Sequence, residues 1–163
     1  MMRRTGTSRL AKSVLALACL LGVVSFAFAR QPREASPFKF VGGTEKLPDS
    51  CEGLVEVGST ALTFRCPTGS VSMPFASISL MQYRPDISRK IRKMKIKWRV
   101  KPQIDAPILG GKKNRYFTIV YEEQGARRAL VLDVPPDTMR PYLAEIDVKA
   151  EKRVEVKESE EYE

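Results

Sequence analysis

The sequence predicts a mainly β fold with one C-terminal α-helix, a small barrel or sandwich of about seven antiparallel strands. Three observations predict it. Short runs alternate apolar and polar residues with a period of two, as in Val71, Met73 and Phe75, or Phe117, Ile119 and Tyr121. Turn pairs interrupt these runs at Gly58-Ser59, Pro67-Thr68-Gly69 and Gln124-Gly125. Near the C-terminus the period changes: Met139, Tyr142, Leu143 and Ile146 fall at i, i+3, i+4 and i+7, one stripe of a helix.

Residues 1–29 read as a signal peptide. Arg3, Arg4, Arg9 and Lys12 precede an apolar run from Val14, and Ala27-Phe28-Ala29 is a small-residue cleavage site. Cleavage after Ala29 sends the mature chain to the periplasm or the extracellular space; the alternative is an uncleaved N-terminal membrane anchor, since the apolar run is just long enough to span when tilted. Residues 30–50 read as a leader, in which Phe38 to Val41 form a short strand that Gly42-Gly43 stops.

The domain proper is expected over 51–157. Its first unit is a hairpin, Gly53 to Val57 against Thr60 to Cys66. Centred between Gly58 and Ser59, it pairs Val57 with Thr60 and Val55 with Leu62, and it sets Cys51 opposite Cys66. Of the three cysteines, Cys19 leaves with the signal peptide, so Cys51 and Cys66 remain as an even pair in a disulfide-permissive compartment. Strands follow through Phe75 and over Ile78 to Tyr83, and Tyr83-Arg84-Pro85-Asp86 turns the chain. A loop without periodicity runs from Pro102 to Lys113. A second hairpin pairs Tyr116 to Glu122 with Arg127 to Val134, with Leu130, Leu132 and Val134 on its core face. The helix is expected from Asp137, as N-cap, to Val148, tolerating Pro141 near its first turn and plugging an open end of the barrel with Met139, Leu143 and Ile146. Val154 and Val156 suggest a brief extended piece, and 158–163 an acidic tail too poor in apolar residues to order.

One stretch departs from this ordinary plan. Between Arg89 and Lys101 the chain carries eight cations and no anion. From Lys93 it alternates strictly, with Lys93, Lys95, Lys97, Arg99 and Lys101 on one parity and Met94, Ile96, Trp98 and Val100 on the other. Read as a strand, it has one cationic face and one apolar face anchored in the core. Ile87, Ile91, Met94 and Trp98 also fit a helical stripe capped by Asp86; Ile96 and Val100 fit only the period of two, and the residues from Arg89 to Lys93 are left open between helix and strand. Losing the signal peptide removes four cations from the formal net charge of +9, leaving +5, so the mature chain outside this stretch sums to −3. Charge concentrated in this way steers anionic partners and is screened by salt. Lys112, Lys113 and Arg115 lie beyond the loop and are expected to extend the anion-binding row.

Much chemistry is excluded. The chain has no histidine, which removes His-based triads and His-ligated metals, and two cysteines alone make a poor zinc site. No glycine pattern cradles a phosphate, and Glu122-Glu123 point to opposite faces of a strand. An enzyme, a cofactor or a metal is therefore not expected. Trp98 and Tyr116 near the cations suit single-stranded nucleic acid, but export argues against that partner.

Leu54-Val55-Glu56-Val57, Leu62-Thr63-Phe64, Phe75-Ala76-Ser77-Ile78, Phe117-Thr118-Ile119-Val120-Tyr121 and the helix from Met139 to Ile146 set out an order of strands and one terminal helix over Glu52 to Val148. On these residues the chain resembles the pleckstrin-homology-like barrels, including their bacterial GRAM-like relatives. The resemblance implies a module that binds lipids, peptides or proteins and is not an enzyme. Two departures stop any transfer of a phosphoinositide site: the first hairpin loop, Val57 to Thr60, has no cation, and the single Trp lies outside the helix. The expected function is an exported binding module that docks an anionic membrane or envelope surface, or an acidic protein segment, on the cationic stretch. The alternative is an assembly subunit that pairs through an exposed edge strand whose cations only protect the edge. A further expectation is that the acidic end, Glu155, Glu158, Glu160, Glu161 and Glu163, is flexible and competes for the same cations.

Overall fold

The structure, a computed structural model, describes residues 38–104 and 115–157. The signal peptide, most of the Pro102–Lys113 loop with Lys112 and Lys113, and the acidic tail beyond residue 157 lie outside the described residues. Eight strands and two α-helices are present among those described: β1 (Phe38–Gly43), β2 (Glu52–Val57), β3 (Ala61–Cys66), β4 (Gly69–Pro74), β5 (Ile78–Arg84), α1 (Arg89–Arg92), β6 (Tyr116–Glu123), β7 (Ala126–Asp133), α2 (Pro136–Ala150) and β8 (Glu155–Val156). They build one mainly antiparallel sheet in the order β4-β3-β2-β1-β7-β6-β5-β8, followed on one side by the C-terminal helix.

The fold is thus mainly β with a C-terminal helix, but the sheet is not closed into a barrel. The chain runs from β4 to β5 through a 3-10 turn at Phe75–Ser77, yet these two strands do not pair. The outer edge of β5 is instead occupied at Gln82 and Tyr83 by the parallel strand β8. The brief extended piece expected around Val154 and Val156 is this strand, but its own residues do not record which edge it joins.

The expected leader is corrected at Phe38: β1 lies in the middle of the sheet, between β2 and β7, with Phe38 and Phe40 fully buried. Gly42-Gly43 do not stop it. They follow a register shift between Phe40 and Gly42 that carries the pairing with β7 on to Gly43↔Leu130.

In the first hairpin the register is two residues away from the expected one. Val55 pairs with Phe64 and Val57 with Leu62, and the Gly58 amide donates to the Ala61 carbonyl (2.9 Å), so Ser59-Thr60 form the turn. A shift of two keeps every side chain on its face, so Val55, Leu62 and Phe64 still point to the core. Cys51 and Cys66 are therefore not directly opposite; Cys51 precedes β2, and the disulfide joins them diagonally with Cα atoms 6.2 Å apart. The second hairpin keeps its expected turn, Gln124-Gly125, both with left-handed backbone (φ 52° and 72°), the geometry of a two-residue hairpin loop.

The helix starts earlier and ends later than expected. Its N-cap is Pro135, with no side-chain cap, so Asp137 lies in the first turn and favours the helix N-terminus by its charge alone. Met139, Leu143 and Ile146 are all buried, in one apolar cluster with Phe38, Phe64, Phe117, Ile119, Leu130, Leu132 and Val134. Tyr142 adds an edge-to-face contact with Phe38, ring centroids 5.0 Å apart. This cluster is the core, and it occupies one face of the sheet.

Candidate functional site

A second apolar cluster explains why β6 reads Tyr-Phe-Thr-Ile-Val-Tyr and is buried throughout those six residues. Phe117, Ile119 and Tyr121 face the core, while Tyr116 and Val120 face the other way and meet Val41, Leu80, Ile87, Ile91, Ala129 and Val131. Tyr116 is thus a buried sheet residue and not an exposed aromatic beside the cations.

What covers this second cluster is the basic stretch. It begins with α1, whose N-cap is Ser88 and not Asp86: the Ser88 Oγ accepts from the Ile91 amide (3.3 Å), and Ile91 is buried. The open question over Arg89 to Lys93 is therefore resolved as one helical turn ending in Lys93. Beyond it the expected strand does not form. Lys95 takes a left-handed conformation (φ 51°), and the residues after it run as a strap, bent at Arg99, across the outer face of the sheet. Only Val100 makes a bridge, to Gly43 at the end of β1. A strap lying over a sheet face cannot share the sheet's ladder of hydrogen bonds, which run within the plane of the sheet.

The separation of the two parities survives without a strand. Met94, Ile96, Trp98 and Ile104 are half-buried against the second cluster, while Lys93, Lys95, Lys97, Arg99 and Lys101 are exposed. Trp98 is accordingly a partial anchor on the outer face, not a core residue. A few bonds hold the strap. The Gly43 carbonyl accepts from the Arg99 and Val100 amides (3.0 Å each), the Gly43 amide donates to the Val100 carbonyl (3.0 Å), and the Gln103 amide donates to the Val41 carbonyl (3.2 Å). Arg127 in β7 donates from Nη1 to the Met94 carbonyl (3.0 Å), and so brings one more exposed cation to the strap. A glycine at position 42 is required for close approach: a Cβ there would lie 2.5 Å from the Cα of Pro102.

Of the eight cations between Arg89 and Lys101, only Lys90 makes an ion pair among the described residues, with Glu155 (2.6 Å). Glu155 is not part of a loose end. It sits in β8 and also accepts from Gln82 Nε2 (2.6 Å). Partial burial alone would raise its carboxyl pKa, but the hydrogen bonds from Lys90 and Gln82, with the charges of Lys90 and Arg84, outweigh this and hold it below the usual carboxylate value. Arg115 is a second correction. It lies buried just before β6, so it is a structural residue and not a member of the exposed row.

Polar groups elsewhere are bound into the fold. Glu45 accepts from the Tyr121 hydroxyl (2.6 Å) and from Thr44 (3.0 Å). Burial, then the bond to Glu45, pushes the Tyr121 phenol far above its ordinary value. Among the described residues no group of three or more His, Cys, Asp or Glu side chains is placed to hold a metal ion, and no helix is long and apolar enough to cross a membrane.

Sequence reasoning identified the strap's cations and its apolar parity but missed Arg127 and Gly42. Arg127 sits in an ordinary hairpin, and Gly42 carries only a turn-like signal, because both are defined by what crosses over them. No protein-family model matches the chain, and no curated protein is significantly similar to it.

Proposed function

We propose that this protein is an exported binding module and not an enzyme, and that it docks an anionic envelope surface or an acidic protein segment on the cationic strap. The observation that carries the reading is the strap itself: five exposed cations, Lys93, Lys95, Lys97, Arg99 and Lys101, without ion pairs among the described residues and seated on a second apolar cluster. Placing so many like charges side by side is unfavourable for the isolated chain, and an anionic partner relieves it. Protection of a sheet edge does not account for them, since the strap crosses a face and the open edge belongs to β4. The Cys51–Cys66 disulfide suits the oxidising compartment that export would provide; the expected cleavage after Ala29 rests on the sequence. Antiparallel strands followed by one helix support the resemblance to the pleckstrin-homology-like domains, from which the open sheet departs.

The test is a pull-down from native envelope material at about 0.1 M and about 1 M salt, where the screening length falls from roughly 10 Å to 3 Å. Binding is expected at low salt and lost at high salt, and it is expected to vanish in a Lys95→Glu, Lys97→Glu, Arg99→Glu variant that melts like the parent. A triple variant that binds as before overturns the reading.

A further inference from the structure

We infer that the strap receives an extended acidic peptide with a carboxylate on every second residue, laid alongside it and joined to it by backbone hydrogen bonds. The inference rests on the binding reading above and chooses between its two partners.

Two observations favour a peptide over a lipid surface. The first is the repeat. Cations on alternate residues of an extended chain stand about 6.6 Å apart, and the exposed Lys95, Lys97, Arg99 and Lys101 alternate with the half-buried Ile96, Trp98 and Val100 as in such a chain, with a bend at Arg99. A second extended chain with acids on alternate residues has the same repeat and sets each carboxylate opposite a cation on the outward face, as in a cross-strand pair. A fluid headgroup layer has no such period to match. The second observation is the backbone. Lys95, Ile96, Lys97 and Trp98 make no backbone hydrogen bond with any described residue, although the flanking Met94, Arg99 and Val100 all do. Four consecutive residues thus offer unused amides and carbonyls to a neighbouring chain, the condition for adding a strand. Half-buried Ile96 and Trp98 hold this segment against the sheet, so less order has to be gained on binding.

The probes are four synthetic nine-residue peptides and one vesicle. One peptide alternates Glu with Thr; a second has the same composition with its Glu residues in one block; two more repeat the first with N-methyl groups on every second residue, in either phase. The vesicle contains phosphatidylglycerol and phosphatidylcholine. At low salt the alternating peptide is expected to bind the full mature protein at least about tenfold more tightly than the block isomer, a difference of about 1.4 kcal/mol. One of the two N-methylated phases, the one that blocks the amides facing the strap, is expected to lose the binding, and the triple Glu variant is expected to lose it entirely. Equal binding of the alternating and block isomers, or of both N-methylated phases with their parent, overturns the inference. Salt-sensitive vesicle binding without peptide binding also overturns it while leaving the binding reading in place. Failure to bind any of the five probes or native envelope at low salt sinks both.

Discussion

The central strands β1, β7, β6 and β5 are covered on both faces, and the two covers differ in kind. On the core face, α2 satisfies its own backbone and contributes Met139, Leu143 and Ile146 with at most 1% exposure. On the outer face, the strap leaves four residues without a backbone bond to any described residue, buries its apolar side chains only in part and turns its cations to solvent. A helix can cover a sheet at little backbone cost, because its hydrogen bonds are internal. A strap is a different device. It gives up backbone bonds on a folded protein, and what it gains in return is a file of accessible charges held on a rigid support. The difference separates an element sealed into the core from one whose charged side chains stay in solvent.

That contrast can be broken first where the effect is largest. Leu143→Ala on the helix side should destabilise the protein by about 2–5 kcal/mol in urea unfolding, as for a fully buried leucine. Trp98→Ala on the strap side, despite the larger side chain, should cost less, about 2 kcal/mol, since Trp98 is only partly buried in the native state. Equal losses would mean that the strap is as much core as the helix. Gly42→Ala probes the strap's attachment, because the new methyl must displace Pro102; we expect about 1–3 kcal/mol and, in hydrogen exchange, faster exchange at Arg99, Val100 and Gln103 with the helix unchanged. Protection lost equally from both covers would show them to be one cooperative unit.

The smallest effect concerns Glu155, which ties β8 to the beginning of the basic stretch. Its folded pKa lies below the unfolded one, so its contribution to stability is fully present above the ordinary carboxylate value and is lost as pH falls through the lowered folded value. Glu155→Gln should therefore lower the urea midpoint slightly at neutral pH, and the difference should shrink as the pH is taken down through the lowered folded value. The ion pair with Lys90 is half-exposed, which keeps the effect small. The same substitution also sharpens the idea of a competing acidic end: since Glu155 is fixed in β8, any competition belongs to the residues after it. Deleting Ser159 to Glu163 is expected to tighten partner binding at low salt and to change little at high salt.

Local pattern alone determined the strands from β2 to β7, the turn at Gln124-Gly125 and the helical stripe Met139, Leu143 and Ile146, because side-chain alternation and turn chemistry act over a few residues; the pairing of Cys51 with Cys66 followed from the cysteine count once Cys19 is set aside, not from the hairpin register. The same alternation assigned each residue of Lys93 to Lys101 to its correct side, water or sheet. It could not distinguish a strand from a strap, since burying every second residue requires only an extended chain beside an apolar surface. Whether that surface is a neighbouring strand's edge or a sheet's outer face is decided by long-range packing. Tertiary structure also decided that β1 belongs at the centre of the sheet, that β8 occupies the edge of β5 and leaves the sheet open, and that Arg115 is buried while Arg127 joins the strap. In each case the deciding partner is distant in sequence, and no local periodicity records it.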